Sequence, residues 1–274
     1  MTSRLRVVSA LHRRFNRIMH GLRPMVPPVG WNVLQTAQSH ATGGPLCLTI
    51  PPHARVLVLA AHPDDEIIGS GGTAAHLCQN RRAVRTLIAT AGEFLHVPDR
   101  QPVEVAELRR DDAIRAARVL GTPPPVFLGF KDGTLPESLT ELSAAISSHI
   151  DEFRPDAIYA PWLLDAHTDH QALARALSLA DVPAETEVWG YEVWASVPAN
   201  RLVDVTRVWD RKERALAEHR VPASVFDTTG HLALNRWRSI HGFGGIGYVE
   251  AFLALHFSSY KELADDLRVD PQPA

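Results

Sequence analysis

Apolar and polar positions along the middle of the chain follow two alternating rhythms. Short apolar runs such as Val56-Leu57-Val58-Leu59 read as strands buried on both faces, while the longer segments between them repeat apolar residues at helical spacing. This pattern predicts strands over 55–60, 84–90, 126–128 and 157–160. Helices are predicted over 66–80, 103–120 and 137–153, with another from about 170 to 180. Strand-like runs at 187–194 and 201–205, a helix near 207–219 and a mixed glycine-rich stretch from Gly242 to Gly247 follow. Alternation of this kind argues an α/β fold: three layers, Rossmann-like, with a mostly parallel sheet and helices on both faces.

The first residues carry a different pattern. From Thr2 to Arg23, Leu5, Val8, Leu11, Phe15, Ile18, Met19 and Leu22 recur at helical spacing with Arg4, Arg6, Arg13, Arg14 and Arg17 between them. A basic amphipathic helix of this kind can lie on an anionic membrane surface, or it can bury its stripe on the protein body or on a partner subunit. Residues 24–53 lose periodicity and gain turn formers, as in Pro27-Pro28 and Gly43-Gly44-Pro45, so they read as a surface connector. The resulting division is an N-terminal arm and connector over 1–50, one domain over 51–260 and a tail over 261–274. No linker separates a second domain.

Composition narrows the function classes. The 274 residues carry a net charge of -3, which gives no bulk attraction to nucleic acid and argues against it as a partner. Cys47 and Cys78 are the only cysteines, too few for a disulfide framework, so a reducing, cytoplasmic setting is expected. No stretch approaches the roughly 18–20 apolar residues of a membrane span, and the N-terminus lacks the apolar core of a signal peptide.

Candidate chemistry gathers just after the predicted strands. Open parallel sheets bind ligands beyond the carboxyl ends of their strands. There the sequence places His62 to Glu66 after the first strand, Glu93 after the second, Lys131-Asp132 after the third and His167 to His170 after the fourth. In Ala60-Ala61-His62-Pro63-Asp64-Asp65-Glu66, Pro63 fixes the turn where the acids begin. In Asp165-Ala166-His167-Thr168-Asp169-His170, two histidines three apart sit at the start of a predicted helix. With His62 and one aspartate of the first loop they make a two-histidine, one-carboxylate set, the composition of a catalytic zinc site with an open position. A neighbouring free carboxylate would be the base. Gly69-Ser70-Gly71-Gly72-Thr73-Ala74 offers a competing dinucleotide reading, with Glu93 near the expected distance for a ribose-binding acid. The polar run from His62 to Ile68 intervenes before the first glycine, where a nucleotide turn would already have begun.

These two motifs, at this order and separation, resemble those of the LmbE/PIG-L family of zinc-dependent N-deacetylases, which act on N-acetylglucosamine conjugates and related amides. Gly71-Gly72-Thr73, Arg109, Gly129-Phe130-Lys131-Asp132-Gly133, Lys212 with Ala215 and His219, and Glu250-Ala251-Phe252 extend the likeness over roughly residues 55–257. The resemblance implies that His62, Asp65 and His170 hold one Zn2+ per chain and that Asp64 is the general base. It implies that His167 stabilises the oxyanion or protonates the leaving amine, with Asp169 orienting it. Arg109, Asp132 and Glu93 are the expected substrate contacts. The implied activity is hydrolysis of an N-acetyl group on an amino sugar or glycoconjugate. The alternatives are a non-catalytic sugar- or nucleotide-binding protein of the same fold and a membrane-surface scaffold led by residues 2–23. Some family members carry a tyrosine just before the histidine pair, where this chain has Asp165 and Ala166. Tyr191 and His219 are the candidate replacements.

Overall fold

The apolar runs assemble into one eight-stranded sheet in the computed structural model, which describes residues 45–267. The predicted N-terminal arm helix lies outside the described residues. The strands are β1 (Leu46–Leu48), β2 (Arg55–Ala60), β3 (Ala83–Thr90), β4 (Val126–Phe130), β5 (Ala157–Pro161), β6 (Glu187–Tyr191), β7 (Arg201–Asp204) and β8 (Val249–His256). Their order is β1-β7-β8-β6-β5-β2-β3-β4. The run β6-β5-β2-β3-β4 is entirely parallel. Only β8 runs against its neighbours, antiparallel to both β6 and β7. The sheet is therefore mixed and mostly parallel, as the alternating pattern predicts.

Side chains on successive strand residues point to opposite faces, and β2 shows the result. Leu57 and Leu59 enter one core with helices α3 (Leu139–Phe153), α4 (Thr168–Leu179) and α8 (Phe257–Asp266). Val56 and Val58 enter the other, with α1 (Asp65–Gln79), α2 (Pro102–Leu120) and α5 (Trp209–Ala217). Two short helices, α6 (Arg220–Ala223) and α7 (Thr229–Arg238), precede β8.

The glycines of the dinucleotide-like stretch lie inside α1, not at a strand-to-helix turn. A side chain at Gly69 would collide with the Tyr191 ring, and one at Gly72 with Val205. Close approach of α1 to the sheet explains both. The backbone N–H groups of Gly72 and Thr73 donate to the buried Glu250 carboxylate, each at 2.8 Å.

Four elements, β1, α7, β8 and α8, fall outside the predicted ones. β1 lies within the stretch expected to be a connector, and it pairs in parallel with β7. Helix α8 runs to Asp266, across the expected boundary at 260. Neither α7 nor β8 stands out in the local pattern, because β8 is apolar enough to be strand or buried helix. Among the described residues, no helix is long and apolar enough to cross a membrane.

Candidate active site

Strand β2 has β3 on one side and β5 on the other, so the order in which strands are added reverses there and a crevice opens beyond the strand ends. The loops leaving β2 and β5 meet in it. After β2, the N–H groups of Ala61 and His62 both donate to Asp65 Oδ2, at 3.1 and 2.8 Å, closing a tight turn onto the first residue of α1. Asp64 inside that turn has φ 120°. For a residue with a side chain such backbone costs on the order of 1–3 kcal/mol and persists only where its surroundings enforce it. Here the Asp64 N–H donates to Glu66 Oε2 at 3.1 Å, and Arg109 donates to the carbonyl of Pro63 at 2.7 Å.

Three donor atoms converge beside this turn. His62 Nδ1 is 3.3 Å from His170 Nε2, His62 Nδ1 is 3.4 Å from Asp65 Oδ2, and His170 Nε2 is 3.1 Å from Asp65 Oδ2. A tetrahedral metal with ligands at about 2.0–2.1 Å spaces those ligands about 3.3 Å apart, so one ion fits the triangle. The other ring nitrogens face carboxylates. His62 Nε2 lies 3.0 Å from Asp132 Oδ1 and 3.3 Å from Asp169 Oδ2. His170 Nδ1 lies 3.1 Å from Asp165 Oδ1, off the line of an ideal hydrogen bond. Carboxylates so placed fix ring orientation and leave the opposite nitrogen free to ligate.

Charge gives the same indication. Asp64, Asp65, Asp132, Asp165 and Asp169 are all buried here, and Arg109 is the buried guanidinium among them. Burial alone would disfavour the imidazolium forms. The surrounding carboxylates nevertheless raise His62 well above the ordinary histidine range and push His170 up to about 9. A field that draws protons onto buried imidazoles equally favours a cation between them. Two other donor sets overlap the triangle, His62 with His167 and His170, and His62 with Asp132 and Asp169. In the triangle with Asp65 the outer nitrogen of each histidine faces a carboxylate. All three carboxylates also hold backbone: Asp132 accepts the Phe94 N–H at 2.9 Å, Asp169 accepts the N–H groups of Gly133 and Leu135 at 2.8 and 3.2 Å, and Asp65 accepts those of Ala61 and His62.

A cavity of about 280 Å³ opens over the triangle, lined by His62, Asp64, Asp65, Arg109, Asp132, Gly133 and His167 and, on its other wall, by apolar and aromatic side chains. Burial raises Asp64 to about 6 against the opposing pull of Arg109, whose Nη2 is 3.4 Å from Asp64 Oδ2. The Asp169 N–H donates to His167 Nδ1 at 3.2 Å and caps α4, leaving the ring proton on Nε2. Burial and the two neighbouring histidines lower the His167 pKa, so the ring is a neutral donor.

The expected site residues differ in how they sit. His62, Asp64, Asp65, His167, Asp169 and His170 come together. The Asp169 carboxylate faces His62, and only its backbone N–H touches His167. Arg109 lines the cavity but donates to Pro63 and Gly92, so it braces the loop carrying Asp64. Asp132 backs His62. Glu93 is not among the lining residues; its Oε1 accepts the Asp132 N–H at 2.9 Å and holds that turn. The candidate tyrosine replacements do not line the cavity either. Tyr191 is buried with its hydroxyl donating to the Leu59 carbonyl at 2.6 Å, and His219 is buried with both ring nitrogens unpartnered. The aromatic lining residues without a role in the sequence reading are Phe94, Trp194, Phe226 and His231. Trp194 ends a predicted strand-like run, but Phe226 and His231 carry no local signal.

Fold and cluster together define an α/β protein with a candidate metal centre at the carboxyl ends of its parallel strands. Residues 57–180 match the model of the PIG-L family, described as GlcNAc-PI de-N-acetylase. Among curated relatives, it is 30% identical over 201 residues to the 1D-myo-inositol 2-acetamido-2-deoxy-alpha-D-glucopyranoside deacetylase of Kineococcus radiotolerans. That match covers 60% of this chain and 56% of the relative, so the chain spans little more than half of that protein's length. Among solved structures, it is similar to N,N'-diacetylchitobiose deacetylase from Pyrococcus horikoshii, with a TM-score of 0.64 and 24% identity over 76% of this chain and 86% of that one. A conserved protein from Thermus thermophilus is similar at a TM-score of 0.58 and 28% identity, over 73% and 94%.

Proposed function

We propose that this chain hydrolyses the N-acetyl group of an amino sugar or glycoconjugate, releasing acetate and a free amine. The observation that carries the reading is the triangle of His62 Nδ1, His170 Nε2 and Asp65 Oδ2 sharing a cavity with a carboxylate, Asp64, that is not part of it. The name of the Kineococcus relative, a deacetylase of a 2-acetamido sugar, supports the same reaction class.

His62, Asp65 and His170 would hold zinc, which when bound supplies a Lewis acid and brings the pKa of a coordinated water toward neutrality. Asp64, poised by burial near 6 and braced by Arg109, takes a proton from the attacking water. His167 donates from Nε2 toward the carbonyl oxygen as negative charge develops there. As the carbon–nitrogen bond breaks, the proton held on Asp64 passes to the leaving amine, and the water's oxygen leaves with acetate. Asp132 and Asp169 keep the His62 ring in place, and Asp165 does so for His170. We place the reaction in the cytoplasm, on the cysteine content, and treat residues 2–23 as a contact for membrane or a partner subunit. Deletion of 2–23 with no loss of liposome binding would remove the membrane option.

The test is metal analysis of the purified full chain together with acetate release from N-acetylated sugars, nucleotide sugars, glycolipids and small amides. Asp64→Asn is expected to retain the metal and lose about 10²–10⁴-fold in turnover. Wild-type turnover by that variant removes Asp64 as the base. A chain with neither bound metal nor acetate release is a binding protein of this fold.

A further inference from the structure

The cavity has two unlike ends. One is the cluster of carboxylates and imidazoles. The other is formed by Phe94 and Leu95 after β3, Val193 and Trp194 after β6, Phe226 after α6 and His231 on α7. Phe94 is 52% exposed and Trp194 is 50% exposed, and both line the cavity.

These are not loose surface aromatics. Asp132 receives the Phe94 N–H on Oδ2 while Oδ1 backs His62 at 3.0 Å. Asp165 does the same on the other side, receiving the Trp194 N–H on Oδ2 at 3.0 Å while Oδ1 faces His170 at 3.1 Å. Phe94 and Trp194 are thus each tied through one buried carboxylate to one histidine of the triangle. The Trp194 ring meets the His231 ring edge-on at 4.8 Å and the Phe226 ring at 6.0 Å, and Lys131 covers the Phe94 ring at 5.3 Å. His231 donates from Nδ1 to the Val193 carbonyl at 3.2 Å, which fixes the ring and leaves its Nε2 as an acceptor on that wall.

Size decides what such a wall touches. Ligand pockets commonly run from about 300 to 1,000 Å³, and this cavity is at the small end. It accommodates the acetamido sugar over the triangle, and whatever the sugar carries must lie along the rim. A polyol there would exchange water for aromatic carbon and lose hydrogen bonds. An apolar group would gain contact area and stacking.

We propose that Phe94, Trp194 and Phe226 form an aglycone subsite that selects N-acetylated amino-sugar conjugates bearing an apolar group over those bearing a polyol. This rests on the hydrolytic reading above. The test compares the phenyl, octyl and myo-inositol glycosides of N-acetylglucosamine on the full chain, by KM for acetate release and by calorimetric binding. Phenyl or octyl glycosides are expected to show a KM and a dissociation constant lower than the inositol glycoside by roughly tenfold. The phenyl-to-octyl ratio separates a flat aglycone from a chain. Trp194→Ala and Phe226→Ala are expected to bring the preference toward unity, and Trp194→Phe to retain most of it. Equal constants for all three glycosides, or a preference untouched by both alanine variants, overturns the subsite. Selective binding without acetate release leaves the subsite standing and removes the hydrolytic reading instead.

Discussion

At the residue scale, the candidate site depends on side chains that each serve two partners. Asp165 is buried, accepts the N–H groups of His167 and Trp194, and faces His170 Nδ1. Removing it frees the ring that presents Nε2 to the triangle. Asp165→Ala is expected to weaken metal affinity about 10–100-fold in competition with a chromophoric chelator, whereas Asp165→Asn keeps one of the two backbone bonds, the His167 N–H being held by Oδ1 and the Trp194 N–H by Oδ2, and loses less. An unchanged affinity in the alanine variant would remove Asp165 as a positioning residue. Gly92 is a second such point. Its φ of +64° suits glycine, and a Cβ there would collide with the guanidinium of Arg109, which donates to the Gly92 carbonyl at 3.1 Å. Gly92→Ala is therefore expected to lose about 1 kcal/mol or more in urea unfolding and to lower acetate release through a displaced Arg109. What the sequence makes legible at this scale is what is local. His62, Asp64 and Asp65 share one turn, and His167, Asp169 and His170 share another, so spacing alone groups them. Glu93 occupies an equivalent position after its strand, yet its carboxylate turns to the Asp132 backbone, a choice set by a loop 39 residues away. Trp194, Phe226 and His231 reach the cavity only through the folding of the second half, which no short motif encodes.

At the scale of elements, the five-stranded parallel unit is legible because each strand is a short apolar run bounded by a helix of unmistakable period. The part beyond Tyr191 is less so. β8 inserts between β6 and β7 with opposite direction, and nothing in an apolar eight-residue run states which neighbours it will find. A buried ion pair sets that junction. Lys212 on α5 reaches Glu250 on β8 at 2.7 Å and the Ile68 carbonyl on α1 at 2.7 Å. Glu250 in turn receives the N–H groups of Gly72 and Thr73 and the Thr73 hydroxyl. Both charged side chains are fully buried, so removing one leaves the other without a counter-charge. Lys212→Met is expected to destabilise the chain by about 3–5 kcal/mol in urea unfolding. Because α1 begins at Asp65, the variant should also disturb the turn that carries Asp64. A loss below about 1 kcal/mol would show that the backbone donors to Glu250 suffice without the ammonium.

At the scale of the whole molecule, the helices that close one face of the sheet also enclose a histidine that contributes to the response to acid. His219 lies between α5 and α6, fully buried, with both ring nitrogens unpartnered. Burial, aided by the charge of Arg109, pushes its pKa down to about 3. In the unfolded chain the imidazole titrates near 6.5. Between those values the unfolded state binds a proton that the native state refuses, so unfolding free energy rises with pH across this window and falls as pH drops through it. Above about pH 6.5 the ring is neutral in both states and contributes nothing to the slope. From pH 7 to pH 5 the native state is expected to lose on the order of 2 kcal/mol through this group alone, since each unit of separation is worth about 1.4 kcal/mol. Below about pH 3 both states are protonated and the loss levels off. His219→Leu removes the titration and keeps the site apolar. Urea unfolding of both proteins at pH 7 and pH 5 should therefore give a wild type that weakens more than the variant, whatever their difference at pH 7. Parallel losses would mean that water reaches the ring and that α5 and α6 open around it well before the sheet does.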